Sequence, residues 1–182
     1  MDYKNFFSHY ADSISELLKN VDTNLIKASV NLIANTKKNK NKIYIVGNGG
    51  SSSIASHVSV DFTKVAKINC STFNNANLIT CFANDYGYEN WVIEAIKSYS
   101  SEQDLFILIS SSGTSKNIVN AAQYCKKNNI DLITLSGFNP NNPLSQSGKI
   151  NFHVASENYN FIEMTHHIIL LSLVDIFVQK NI

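Results

Sequence analysis

Prolines are almost absent from this chain: there are two in 182 residues, Pro140 and Pro143, both in one short stretch. No proline-rich linker, low-complexity block or internal repeat interrupts it. Cysteine is scarce too. Cys70, Cys81 and Cys125 show no paired short spacing, which excludes a disulfide framework and points to a reducing, cytoplasmic setting. Charged residues make up only 16% of the chain and nearly balance, at a formal +1, with no basic stripe interleaved with aromatics. Nucleic acid is therefore not an expected partner, and Lys37-Lys38-Asn39-Lys40 reads as a solvated helix end. No segment is expected to span a membrane, and the first residues do not read as a secretory signal. What is present is 44% hydrophobic residues, enough for one domain over residues 1–182 with a substantial core.

Phe7, Tyr10, Ile14, Leu17, Leu18, Val21, Leu25 and Ala28 recur at three- and four-residue steps. They predict a helical N-terminal region over 1–40, broken near Asp22-Thr23, with an apolar stripe that packs on its own sheet or on another subunit. Beyond it, apolar runs at 42–46, 105–110, 131–136 and 150–154, with a weaker one near 68–72, predict strands. Helical stretches at 52–65, 88–99, 115–128 and 161–180 alternate with them. The pattern predicts an α/β fold, a three-layer αβα sandwich around a central parallel sheet of about five strands. Ligands of such sheets sit outside the carboxyl ends of the strands.

Two loops fall at such ends. The first, Val46-Gly47-Asn48-Gly49-Gly50-Ser51-Ser52-Ser53, follows the run Ile43-Tyr44-Ile45 and precedes a stretch free of Gly and Pro. Glycines let a backbone approach a ligand closely, and serines add hydroxyls beside the free N–H groups of a helix start, a setting suited to a phosphate. The second, Ser110-Ser111-Ser112-Gly113-Thr114-Ser115, offers a run of hydroxyls before another helix, with Ser115 as a candidate N-cap. Alone it reads as an ordinary capped turn, and the pairing of the two loops favours an anion site. Neither loop has the spacing of a dinucleotide or NTP fingerprint, so no nucleotide cofactor is expected.

Gly47-Asn48-Gly49-Gly50-Ser51, Asn84-Asp85-Tyr86-Gly87-Tyr88 and Ser110-Ser111-Ser112-Gly113-Thr114-Ser115 stand in this order. In that order the chain resembles the phosphoheptose isomerases of the SIS (sugar isomerase) family along essentially its whole length. The resemblance implies a three-layer α/β domain, a homotetramer with shared active sites, and phosphate held by Ser110, Ser112 and Ser115. It puts Asn48 and Ser51 on the sugar, with Gly49, Ser111, Asn84, Asp85 and Glu163 as further substrate contacts. The implied reaction is aldose–ketose isomerisation of a phosphosugar, sedoheptulose 7-phosphate, supplying heptose for lipopolysaccharide or capsule. The family also admits a different class of function, a non-catalytic phosphosugar-binding protein.

Isomerisation through an enediol needs a base at carbon and an acid for the oxygens. His57 and Asp61 are spaced i,i+4 and so share a helix face, and Glu163 and His167 have the same spacing near the C-terminus. Such pairs are by themselves ordinary surface contacts. In the family setting Asp61, His167 and His57 become the candidate catalytic set, with Asp61 as base. The four residues His57, Asp61, Glu163 and His167 are equally candidate ligands for a divalent cation such as zinc. The resemblance also exposes departures. The family has glutamate at Asp61, glutamine at Glu163 and, without gaps, its catalytic histidine at Leu171. It tends to carry aspartate at Asn160, while His166 matches a histidine frequent in the family. Trp91 and Tyr88 read as core or pocket aromatics, Asp85 as a sugar contact or helix cap, His9 and His153 as structural or surface residues, and Asp175 as a polar-face residue.

Overall fold

The computed structural model describes residues 1–180. Five parallel strands form one sheet in the order β2-β1-β3-β4-β5. They are β1 (Ile43–Gly47), β2 (Cys70–Ser71), β3 (Leu105–Ser110), β4 (Leu132–Ser136) and β5 (Ile150–His153). The central strands are buried throughout and mostly apolar because both sheet faces are covered, and side chains alternate between the faces. Ile43, Ile45, Leu105, Ile107 and Ile109 join the core beneath α2 (Thr23–Lys38), α3 (Gly50–Lys64) and α7 (Tyr159–Lys180). Tyr44, Val46, Phe106 and Leu108 point the other way, into a second core with Trp91, Val92 and Ile118. That side is covered by α4 (Ala76–Tyr86), α5 (Trp91–Tyr99) and α6 (Lys116–Lys127). The three-layer sandwich expected from the alternation is the architecture observed.

Three local expectations change. Residues 76–86 form a helix, α4, capped by Asn75, whose side chain accepts from Asn77 N–H at 2.9 Å. Its half-buried Leu78, Ile79, Phe82 and Ala83 lie at helical spacing. Asn84 and Asp85 therefore sit in a last helical turn rather than a loop, and the next helix begins at Trp91 instead of residue 88. The N-terminal region divides near Asp22-Thr23, as expected, into α1 (Tyr3–Lys19) and α2, and α1 buries no residue of its own.

The third change concerns α7, whose 22 residues are long and apolar enough to cross a membrane by length and composition alone. In the fold it is a core helix: Ile162, Ile169, Leu170, Leu173, Val174 and Phe177 are buried against the sheet and its neighbours.

With β1 followed on one side by β2 and on the other by β3, the chain reverses its direction of winding between β1 and β3. This topological switch point is where a crevice opens at the carboxyl ends of the strands. Gly47 pairs with Ile109 there, so the glycine loop and the serine loop leave the sheet side by side.

Candidate active site

The glycine loop turns sharply because its residues permit it. Gly49 has φ +54°, a conformation that suits glycine, and a Cβ at Gly47 would come within 2.6 Å of the Ser51 Cβ. The chain thus folds α3 directly back onto the end of β1. Ser51 is buried and faces the crevice.

The serine loop is braced from behind. Gly113, at φ +68°, leaves room for the buried Asn142, whose side-chain amide donates to Asn139 O at 2.7 Å and to Ser136 Oγ at 3.1 Å. Asn142 carries no ligand-binding signature in the sequence, and only the fold reveals its role. Ser110 Oγ donates to Ser115 Oγ at 3.0 Å, and Thr114 Oγ1 donates to Ser112 Oγ at 3.0 Å. Ser115 occupies the N-cap position of α6, yet its side chain makes no capping hydrogen bond. Ile118 N–H donates to Ser115 O at 3.0 Å instead, and the first-turn N–H groups before it keep their need for an acceptor. Ser111 Oγ is buried and meets no partner among the described residues. An orphan hydroxyl in a loop that leads into a helix start suits a bound oxyanion.

Together the loops enclose a cavity of about 230 Å³ lined by Asn48, Gly49, Gly50, Ser51, Ile109, Ser110, Ser111, Ser112, Ser115, Tyr159 and Glu163. A larger cleft of about 540 Å³ lies between the N-terminal helices and β5, but Glu16 and Asp22 on its walls make it a poor host for a phosphate.

Asn48 is held by a residue the sequence reading left without a role. The buried Asn117 exchanges two amide hydrogen bonds with it, both at 2.9 Å. The Tyr88 hydroxyl also donates to Asn48 Oδ1, at 3.3 Å. Both lone-pair positions of that oxygen are thereby taken, leaving one Asn48 N–H to offer a ligand. Tyr88 thus reaches the site from the α4–α5 connection, whereas Trp91 is core.

On the opposite side, Tyr159, Glu163, His167 and Leu171 recur every four residues along one stripe of α7. Tyr159 and Glu163 line the cavity. Glu163 stands over Gly50 so closely that a Cβ there would lie 2.7 Å from Oε1 and nearer still to Oε2. One turn on, His167 Nε2 meets His57 Nδ1 at 2.9 Å, their rings edge to face. His57 Nε2 in turn meets Asp61 Oδ2 at 3.3 Å. Burial, then the neighbouring His57, hold the His167 pKa below the ordinary histidine value, with Asp61 opposing them. Leu171 packs, half-buried, against the core.

Residues 9–137 match the SIS domain family. The chain belongs to that family. Among curated relatives, phosphoheptose isomerase 2 of Campylobacter jejuni is 39% identical over 144 residues, covering 71% of this chain and 69% of that protein. The phosphoheptose isomerase of Helicobacter pylori strain P12 is 30% identical, covering 98% and 96%. The solved phosphoheptose isomerase GmhA from Neisseria gonorrhoeae superposes with a TM-score of 0.88 at 20% identity, over 97% of this chain and 98% of that one.

Within this SIS domain the fold gathers Asn48, Gly49, Ser51, Ser110, Ser111, Ser112, Ser115 and Glu163 around one cavity. Asn84 and Asp85 are not among the residues lining it; they are exposed, with Asn84 Nδ2 donating to Asp85 Oδ1 at 2.9 Å. Asp85 does not cap α5, whose N-cap is Asn90. Asp61, His57 and His167 form a hydrogen-bonded chain beside the cavity, and none of the three lines it.

The four candidate metal ligands are not presented as a set. Both nitrogens of His57 are engaged, and zinc could bind this imidazole only after one of those contacts opened. Among the described residues no group of three or more His, Cys, Asp or Glu side chains is arranged to hold a metal ion. The donors as placed do not fit one.

His166 belongs to the core of its own chain. It is fully buried, its Nε2 lies 3.1 Å from Ser136 O, and burial pushes its pKa down to about 4. His153 Nε2 lies 3.1 Å from Phe138 O, a structural contact.

Proposed function

We propose that this SIS domain is an aldose–ketose isomerase of phosphosugars, with sedoheptulose 7-phosphate as its preferred ketose. The observation that carries the reading is the buried, unpartnered Ser111 hydroxyl beside the uncapped start of α6, in a cavity that a carboxylate also lines. The serine loop takes the phosphate, and Asn48 and Ser51 bind sugar hydroxyls. Proton transfer falls to the seam between α3 and α7, where Asp61, His57, His167 and Glu163 supply carboxylates and imidazoles. The heptose choice follows from the relatives above, whose names all specify phosphoheptose isomerase.

The same reading makes the protein an oligomer. Helix α1 exposes Tyr3 at 77% and Phe7 at 71%, an apolar surface that its own chain leaves uncovered. Further copies are its occupants, in a homotetramer. Three free cysteines suit a cytoplasmic enzyme.

The test is a comparison of kcat/KM across pentose, hexose and heptose phosphates, with zinc added and with a chelator present. The expected result is a maximum on the ketoheptose phosphate. Equal turnover of the dephosphorylated sugar would remove the serine loop from the account.

A further inference from the structure

Among the described residues, Glu163 is the only carboxylate lining the loop cavity. Its seat depends on Gly50, the first residue of α3, since any Cβ there would overlap the carboxylate. Asp61 lies eleven residues further along the same helix, about 16 Å along its axis from Gly50. Its carboxylate contacts His57, and His57 contacts His167. One acid is thus presented to the ligand space and the other is bound to an imidazole pair beside it.

We propose that Glu163 on α7, rather than Asp61 on α3, is the catalytic base of this enzyme, and that Asp61 is a positioning residue acting through His57 on His167. This rests on the isomerase reading above. The Glu163 carboxylate removes a C1 proton from the ketose. The C1–H electron pair becomes the C1–C2 π bond, and the carbonyl pair moves to O2, which takes up an exchangeable proton. O1 then releases its proton and C1=O forms. The C1–C2 π pair takes the proton from Glu163 at C2. The Glu163 carboxyl exchanges its proton with solvent while the enediol stands, so one hydrogen leaves C1 and one, from solvent, is gained at C2, and no oxidant or reductant is needed.

The chemistry also accounts for Gly50. A helix gains little from glycine at this position, but a carboxylate that must reach a ligand past the start of α3 needs the missing side chain.

The experiment measures deuterium incorporation at the carbon beside the carbonyl, by NMR in deuterated water with sedoheptulose 7-phosphate. Wild type, Glu163→Gln, Glu163→Asp and Asp61→Asn are compared, with ligand binding measured by calorimetry. Loss of a general base slows Glu163→Gln about 10²- to 10⁴-fold while binding persists. Glu163→Asp recovers part of the rate, and Asp61→Asn exchanges faster than Glu163→Gln. Exchange by Asp61→Asn at or below that of Glu163→Gln overturns the assignment. An active wild type with an equally active Glu163→Gln also overturns it. A wild type that binds the sugar without exchange overturns the isomerase reading itself, and the assignment falls with it.

Discussion

His167 Nε2 lies 2.9 Å from His57 Nδ1, bridging α7 and α3. An ionised Asp61 can only accept a hydrogen bond, so a neutral His57 places its proton on Nε2, toward Asp61. His57 Nδ1 then accepts from His167 Nε2–H, and His167 Nδ1 is left bare. The chain fixes a tautomer, and with it the imidazole nitrogen that can take a proton.

Asp61→Asn should lower the His167 pKa further, because Asp61 is the contact that opposes the effects of burial and of His57. Histidine ring NMR titration reads this directly. An upward shift in the variant would mean that the Asp61–His57–His167 chain is not formed in solution.

Gly50→Ala should lower kcat far more than it raises KM, because the new Cβ displaces the Glu163 carboxylate and leaves the serine loop untouched. In a Glu163→Ala background the same substitution should add almost nothing, since the two changes act on one contact. Steady-state kinetics on the four proteins of this cycle provide the check, and additive losses would contradict the shared contact.

Ser111→Ala should raise KM for the sugar phosphate about 10- to 100-fold, the cost of one hydrogen bond to a charged ligand group, with a smaller change in kcat. Thermal unfolding should change little, because the hydroxyl has no partner within the described residues to lose. An unchanged KM would place the phosphate elsewhere.

Much of this site was legible before the fold was known. The continuous apolar runs announced a sheet buried on both faces, and two small-residue loops at strand ends announced an anion site. Asn117 and Asn142 were not legible, because buried amides that brace a loop look like any polar residue until their partners across the fold are known. Asn84 and Asp85 are residue types that favour turns, so the helix they end is not evident locally. Tertiary packing of Leu78, Ile79 and Phe82 keeps that segment helical instead. The i,i+4 pairs were found from spacing alone. Their division between a cavity-lining Glu163 and a chain ending in Asp61 depends on how α3 and α7 face each other, which no local pattern encodes.

Stability should fall as pH drops from about 6.5 toward about 4 through His166. Burial lowers its pKa in the folded protein to about 4, from the ordinary 6.5 that the unfolded chain restores. Below 6.5 the unfolded state therefore binds more protons. The contribution is complete above 6.5 and is lost on acidification, by on the order of 3 kcal/mol over this window. Denaturant midpoints for wild type and His166→Gln should converge as pH falls from 8 to 4.5. A gap that does not narrow would show that the ring is not held neutral by burial.

In the proposed homotetramer, Phe7→Asp should separate the subunits, since α1 leaves this ring exposed. Sedimentation of the variant should yield smaller species than wild type. Identical sedimentation would exclude α1 from the subunit contact.

The most direct measurement of the whole account is the fate of the carbon-bound proton when wild-type protein meets sedoheptulose 7-phosphate in deuterated water. The account predicts an aldose product carrying deuterium at C2, with exchange into the remaining ketose at the adjacent carbon. A ligand that binds the serine loop and returns with its protons intact would contradict it, and would leave a phosphosugar-binding SIS domain without isomerase chemistry.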